Sequence, residues 1–292
     1  MWMAPRPGAP GSVDSRSYIF ALPIRSANDL PGDFNFADDL REFSHGVFLP
    51  RAEPDWRGRR AYPPRVALLS EDSLVIMAHP ASGEATYSIP FRELQFVEYG
   101  HFLLIGWMAF VSSQGKRELP FNTRTCPPVE EFLSMLSKQW APSADLRDDL
   151  PCVSFGGALD IKFQNAELAA LDRHERVLIR FFNPTRETGR RAWGIFPVDS
   201  HEPGDYLAIT NRRLIWITER NRDRYARYGT IVKWAVLGNV ADVSVDAAGH
   251  SCRVVCRFKS GASWEVPLPA DQSDAAVAFA GKAVSVIRSL PL

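Results

Sequence analysis

Net charge is what this chain lacks: 34 Lys and Arg stand against 34 Asp and Glu in 292 residues. Sequence-independent binding to nucleic acid draws on an excess of cations, so no nucleic-acid partner is expected. Cysteine is scarce. Cys126, Cys152, Cys252 and Cys256 are too few for a disulfide scaffold in a chain this long and are expected to be free, buried thiols in a reducing compartment. No hydrophobic run has membrane-spanning length. The longest, FLLIGWMAFV at 102–111, is about half of what a spanning helix needs and reads as a buried strand. The opening MWMAPRPGAPGS has no apolar secretory core and reads as a flexible tail over 1–14. These absences predict a soluble, cytoplasmic protein.

Enzyme signatures are missing too. The chain has no G-x-x-x-x-G-K-[ST], no G-x-S-x-G, no H-E-x-x-H and no G-x-G-x-x-G after a strand. SFGGALD at 154–160 has two glycines but no strand–helix pattern around them, and the six histidines are scattered. Cys252 and Cys256 would share one face of a strand, yet no second ligand pair matches them, so no metal is expected. No catalytic residue and no cofactor are assigned, and the protein is not expected to be an enzyme.

What the chain does have is an internal repeat. RVALLSEDSLVIMAHP at 65–80 and DYLAITNRRLIWITER at 205–220 share one pattern of strand, polar turn and strand, with Leu74 falling on Leu214. SIPFRELQFVEYG at 88–100 then matches WAVLGNVADVSVD at 234–246. Next, MAFVSSQGKRELPF matches VVCRFKSGASWEVPL, so that Leu119-Pro120-Phe121 lies beside Val266-Pro267-Leu268. Each copy closes with helical spacing: Val129, Phe132, Leu133, Leu136 and Trp140 in the first, Val277, Ala280, Val284 and Ile287 in the second. The offset holds at roughly 140 to 147 residues across all of them. A further strand precedes each hairpin, at 45–53 and 175–183, and before it lies a short amphipathic segment, at 36–43 and 166–174.

Each half therefore reads as a short helix, about six or seven strands and a C-terminal helix. A meander of this kind curls into a partly open antiparallel barrel plugged by its helix. The predicted layout is a tail at 1–14, one domain at 15–141, a Pro-, Asp- and Gly-rich linker at 142–158 and a second domain at 159–292. In the hairpin, Leu207, Ile209, Leu214 and Trp216 are expected to fill the barrel, and Arg212 and Arg213 to sit at the turn in solvent.

YLAITNRRLIWITER resembles the Thr-x-x-Arg-Leu hairpin of bacterial pleckstrin-homology (PH)-like domains, carried here by Thr210, Asn211, Arg213 and Leu214. The first copy departs from it, with Ser70 for the Thr and Ser73 for the Arg. The resemblance implies a mainly β fold of two tandem PH-like domains. It implies no activity.

Two arginine-rich loops stand at matching places between the first two strands of each copy: DWRGRRAYPPR, with Arg57, Arg59 and Arg60, and TRETGRRAWGIF, with Arg186, Arg190, Arg191 and Trp193. In PH domains of other organisms this loop holds inositol phosphate headgroups, and guanidinium forks suit phosphate. Solvated surface loops are the plainer reading. A second basic stretch, ERNRDRYARYG at 219–229, has acids interleaved and reads as a solvated loop. The function expected is that of a non-catalytic adaptor, binding a protein or peptide partner by strand addition at a sheet edge beside the helix. The alternative is peripheral binding to an anionic membrane surface through the arginine-rich loops.

Overall fold

The computed structural model describes residues 20–34, 42–52, 62–102, 105–141, 152–187, 191–192, 196–197, 201–219, 229–248 and 251–289. The expected tail at 1–14 and the segment at 36–41 lie outside them. The chain folds into two units, Met1–Leu94 with His101–Trp140, and Gln95–Gly100 with Ala141–Leu292.

In the first unit, β1 (Leu22–Ile24), β2 (His45–Leu49), β3 (Arg65–Leu69), β4 (Ser73–Ala78) and β5 (Tyr87–Pro90) pair in chain order as an antiparallel meander. HGVFL, RVALL and SLVIMA are near-continuous apolar runs and are buried along most of their length. Such runs form strands covered on both faces. Gly46 is needed where β2 passes β3, because a Cβ there would stand 2.4 Å from the Leu68 side chain. Then come β6 (Leu94–Phe102), β7 (Ile105–Ser112), β8 (Gly115–Asn122) and α1 (Cys126–Trp140). The apolar run 102–111 thus divides between the end of β6 and β7 rather than forming one strand. Helix α1 buries Val129, Phe132, Leu133, Leu136 and Trp140, the face its spacing predicts, and Phe110 meets Phe132 edge-on at 6.5 Å.

His45 couples β2 to α1. It is buried, its Nε2 has no hydrogen-bond partner, and Glu131 Oε1 of α1 stands 3.8 Å away, where Arg25 also reaches it at 3.0 Å. Burial pulls its pKa below 6.5, with Arg25 assisting and Glu131 opposing. The unfolded chain therefore binds the proton more readily than the folded one. Stability present above pH 6.5 is lost as pH falls through that value toward the lower folded pKa. His45→Gln is expected to lose less stability than the wild type between pH 7 and about pH 5, read as denaturation midpoints at each pH.

The second unit opens with β9 (Val153–Gly156), which lies within the stretch expected to be a linker, and α2 (Ile161–Ala170). The meander follows: β10 (Val177–Asn183), the two-residue strands β11 (Arg186–Glu187), β12 (Arg191–Ala192), β13 (Phe196–Pro197) and β14 (His201–Glu202), then β15 (Asp205–Thr210), β16 (Arg213–Thr218) and β17 (Ile231–Val236). Strands β10, β15, β16 and β17 pair antiparallel in that order. On the far side of β17, residues 97–100 pair with 231–234. At the other edge β9 runs parallel to β10, a connection that requires a crossover, and α2 supplies it. A separate antiparallel sheet, β18 (Val240–Ala248), β19 (Ser251–Phe258) and β20 (Ser263–Leu268), precedes α3 (Ser273–Ser289).

Side chains of β10 alternate as a strand requires. Phe181 turns to α3, 5.7 Å from the Phe279 ring, while Phe182 turns to α2, 5.0 Å from Phe163. On the α2 side Tyr206 donates to Glu167, and burial together with that bond pushes its phenol far above the ordinary range. Leu207, Ile209, Leu214 and Trp216 lie in the core, as the hairpin pattern predicts.

Two helix expectations differ in part. The segment 166–174 is not a helix of its own: α2 covers Ile161–Ala170, buries Phe163 and leaves Ile161 and Leu168 exposed. Helix α3 buries Ala276, Phe279, Ala280 and Ala283, whereas Val277 is 55% exposed.

The protein is mainly β, in several largely antiparallel sheets, and none of them is closed among the described residues. The element order recurs: a four-strand meander, three further strands and a helix, as β2–β5, β6–β8 and α1, then as β10 with β15–β17, β18–β20 and α3. No helix among the described residues is long and apolar enough to cross a membrane.

Candidate functional site

The hairpin residues come together as a buried lock. Thr210 Oγ1 accepts from the Arg213 N–H at 2.8 Å and the Arg212 N–H at 3.0 Å, which closes the turn. Its own proton points to Glu175 Oε1 at 2.6 Å. Arg213 is 3% exposed. Its Nε donates to Glu175 Oε1 at 3.0 Å, and its Nη2 donates to Glu175 Oε2 and to the Ala170 carbonyl at 2.9 Å. The guanidinium also lies 4.8 Å from the centre of the Trp234 ring. Asn211 pairs by N–H and Oδ1 with the backbone of Arg176, both at 3.1 Å, and Leu214 is in the core.

The expectation of solvated turn arginines is therefore wrong. Arg212 is held as well, by the Ala141 carbonyl at 2.9 Å and Asp172 at 3.5 Å. Both arginines fold back over the turn because the segment ahead of β10 presents Asp172 and Glu175 to them. Thr210, Asn211 and Arg213 spend their polar groups inside the fold, so this set builds the unit and offers nothing to a ligand.

Of the seven candidate residues in the arginine-rich loops, Arg186 has a described side chain. Arg57, Arg59, Arg60, Arg190 and Trp193 lie outside the described residues, and Arg191 is placed by its backbone pairing with Pro197. Arg186 is half-buried, with Nη2 2.9 Å from Asp271 Oδ2, so its charge is already matched. Of the second basic stretch, Glu219 is described. Burial works to raise its pKa, but hydrogen bonds from Lys162, Thr185 and the Gly204 N–H outweigh this and hold it below the usual range.

Cys252 and Cys256 are buried on the inner face of β19, and burial pushes the Cys256 thiol up to about 12. Cys152 is exposed and Cys126 partly so, against the expectation that all four are buried. SFGGALD does have a strand and a helix around it, β9 and α2. In the first turn of α2 the Phe163 N–H is met by Asp160, whose carboxylate accepts from it at 2.9 Å. A carboxylate at that terminus repels an incoming anion.

The sheet edges remain. Among the described residues, six strands of the larger sheets have a single paired neighbour: β1, β5, β8, β9, β18 and β20. An open edge invites pairing with another chain, and a proline there blocks it by removing a donor. Pro23, Pro90, Pro120 and Pro267 stand in β1, β5, β8 and β20. Strands β9 and β18 have no proline, and both lie against α3. The two are unequal. β9 has four residues and ends at Gly156, with φ at 80° and Phe182 O 2.3 Å from where a Cβ would stand. β18 has nine residues and, among the described residues, pairs with β19 alone. Val245 of β18, and Val284 and Ile287 of α3, the helix that packs on β18, are apolar side chains left partly exposed against the same core. The matching strand of the first half, β6, already has residues 97–100 paired with β17.

Sequence reasoning found Pro120 and Pro267 as part of the repeat, but their meaning depends on strand order. No family model matches the chain, and no curated protein matches it in sequence.

Proposed function

We propose that the chain is a non-catalytic binding protein of two PH-like domains, and that an extended segment of a partner protein adds as a strand to β18 beside α3. The observation that carries this is the distribution of prolines: four single-neighbour strands are guarded, while the two against α3 are not. The PH-like assignment draws on the Thr210–Leu214 hairpin and on the recurrence of meander, three strands and helix. Strand addition supplies affinity through main-chain hydrogen bonds and selectivity through alternate side chains. The membrane reading has less behind it, since Arg186 already pairs with Asp271.

The test is a peptide-display selection against the full chain, followed by amide hydrogen exchange with and without the selected peptide. Added protection over 240–248 is expected. Selected peptides that protect other segments, or binding confined to anionic vesicles with 240–248 unchanged, would overturn the proposal.

A further inference from the structure

We infer that the segment taken by the β18 edge alternates apolar and basic residues. This rests on strand addition at β18 and specifies the chemistry of the added strand. Along β18, Val243 and Val245 turn to the core, and Asp242, Ser244 and Asp246 turn to the opposite face. Asp242 and Asp246 thus form the outermost charged column at the free edge.

The arginines stand one strand further in. Arg257 reaches Asp242 at 3.1 Å, and Arg253 reaches Asp246 at 2.9 Å. Arg253 is shared with Glu265 of β20 at 2.8 Å. Three carboxylates therefore meet two guanidiniums across this face, and because Arg253 is shared between Asp246 and Glu265, Asp246 is the edge carboxylate with only a part share of a cation. A strand laid on β18 would place alternate side chains directly beside Asp242 and Asp246, where Lys or Arg is favoured and Asp or Glu is repelled. Its other side chains would turn inward to the margin formed by Val245, Val284 and Ile287, which accepts Val, Ile or Leu.

The partner is thus a basic-amphipathic β segment, and the prediction separates charge from strand addition. The probes are three blocked nine-residue peptides: alternating Val and Lys, alternating Val and Glu, and the Val–Lys peptide with alternate backbone amides N-methylated. Binding to the full chain is read by fluorescence anisotropy at low salt. The Val–Lys peptide is expected to bind roughly tenfold more tightly than the Val–Glu peptide, from two cross-strand charge pairs. The preference should shrink with added salt, and the N-methylated peptide should not bind. In Asp242→Lys/Asp246→Lys chain the order of the first two should reverse.

Equal binding of the Val–Lys and Val–Glu peptides would overturn the charge inference while leaving strand addition intact. Equal binding of the N-methylated peptide, or no binding of any of the three, would overturn both. A wild-type preference that the double variant leaves unchanged would overturn the assignment to Asp242 and Asp246.

Discussion

Arg213→Ala is expected to destabilise the second unit by about 3–5 kcal/mol, because it leaves a buried carboxylate without its counterion. The Glu175 side chain is fully buried, and both its oxygens accept from Arg213. Removing the guanidinium also strips the Ala170 carbonyl of its donor and Trp234 of the cation on its face. In thermal unfolding the loss corresponds to a drop on the order of 10 °C. Arg213→Lys keeps the charge but loses the planar fork, and should fall between wild type and alanine. The double variant Arg213→Ala/Glu175→Gln removes the orphaned charge and should recover part of the loss. A midpoint for Arg213→Ala within about 1 °C of wild type would mean that the pair is solvated and the lock is not one.

The hairpin shows how far sequence carries. Thr-Asn-Arg-Arg between two apolar runs is legible as a turn, and the alternation of Leu207, Ile209, Leu214 and Trp216 is legible as a core face, because both depend on neighbours a few residues away. The fate of Arg213 depends on Glu175, thirty-eight residues upstream. Nothing local distinguishes an arginine that meets a buried carboxylate from one that meets water. The same distance effect hides β9. Four residues in a Pro- and Gly-rich stretch have too little pattern to read as a strand, and they become one because β10 offers a ladder and α3 a face, with Phe155 6.4 Å from Phe279. That residues 97–100 would pair with β17 was equally invisible, since their own spacing is satisfied by any partner strand.

The candidate site was half legible. A sheet edge beside the helix follows from the expected architecture, but which edge is open depends on strand order, which no spacing encodes. The prolines were visible as matching positions in two copies. Once the order is known they change meaning, from a mark of repetition to a guard on Pro120 and Pro267. The loop arginines illustrate the opposite case. Their composition is conspicuous, yet the described Arg186 spends its charge on Asp271.

Helix α3 gives the second large effect. Three of its four buried residues, Ala276, Ala280 and Ala283, are alanines, and these let the helix lie close to the sheet. Phe279 is the one large buried side chain on it, fully enclosed between Phe181 at 5.7 Å and Phe155 at 6.4 Å. Phe279→Ala should therefore cost about 3–5 kcal/mol and loosen α3 from both β9 and β10. The spacing groups Val277 with Ala280, Val284 and Ile287; Ala280 is buried and Val284 and Ile287 pack against the core, but Val277 is exposed and stands roughly 200° around the helix from Phe279. Exposed as it is, Val277→Ala should change stability by less than about 0.5 kcal/mol. Denaturant unfolding of the two variants decides which face is inside. A larger loss for Val277→Ala than for Phe279→Ala would rotate the helix, and with it the margin that Val284 and Ile287 present beside β18.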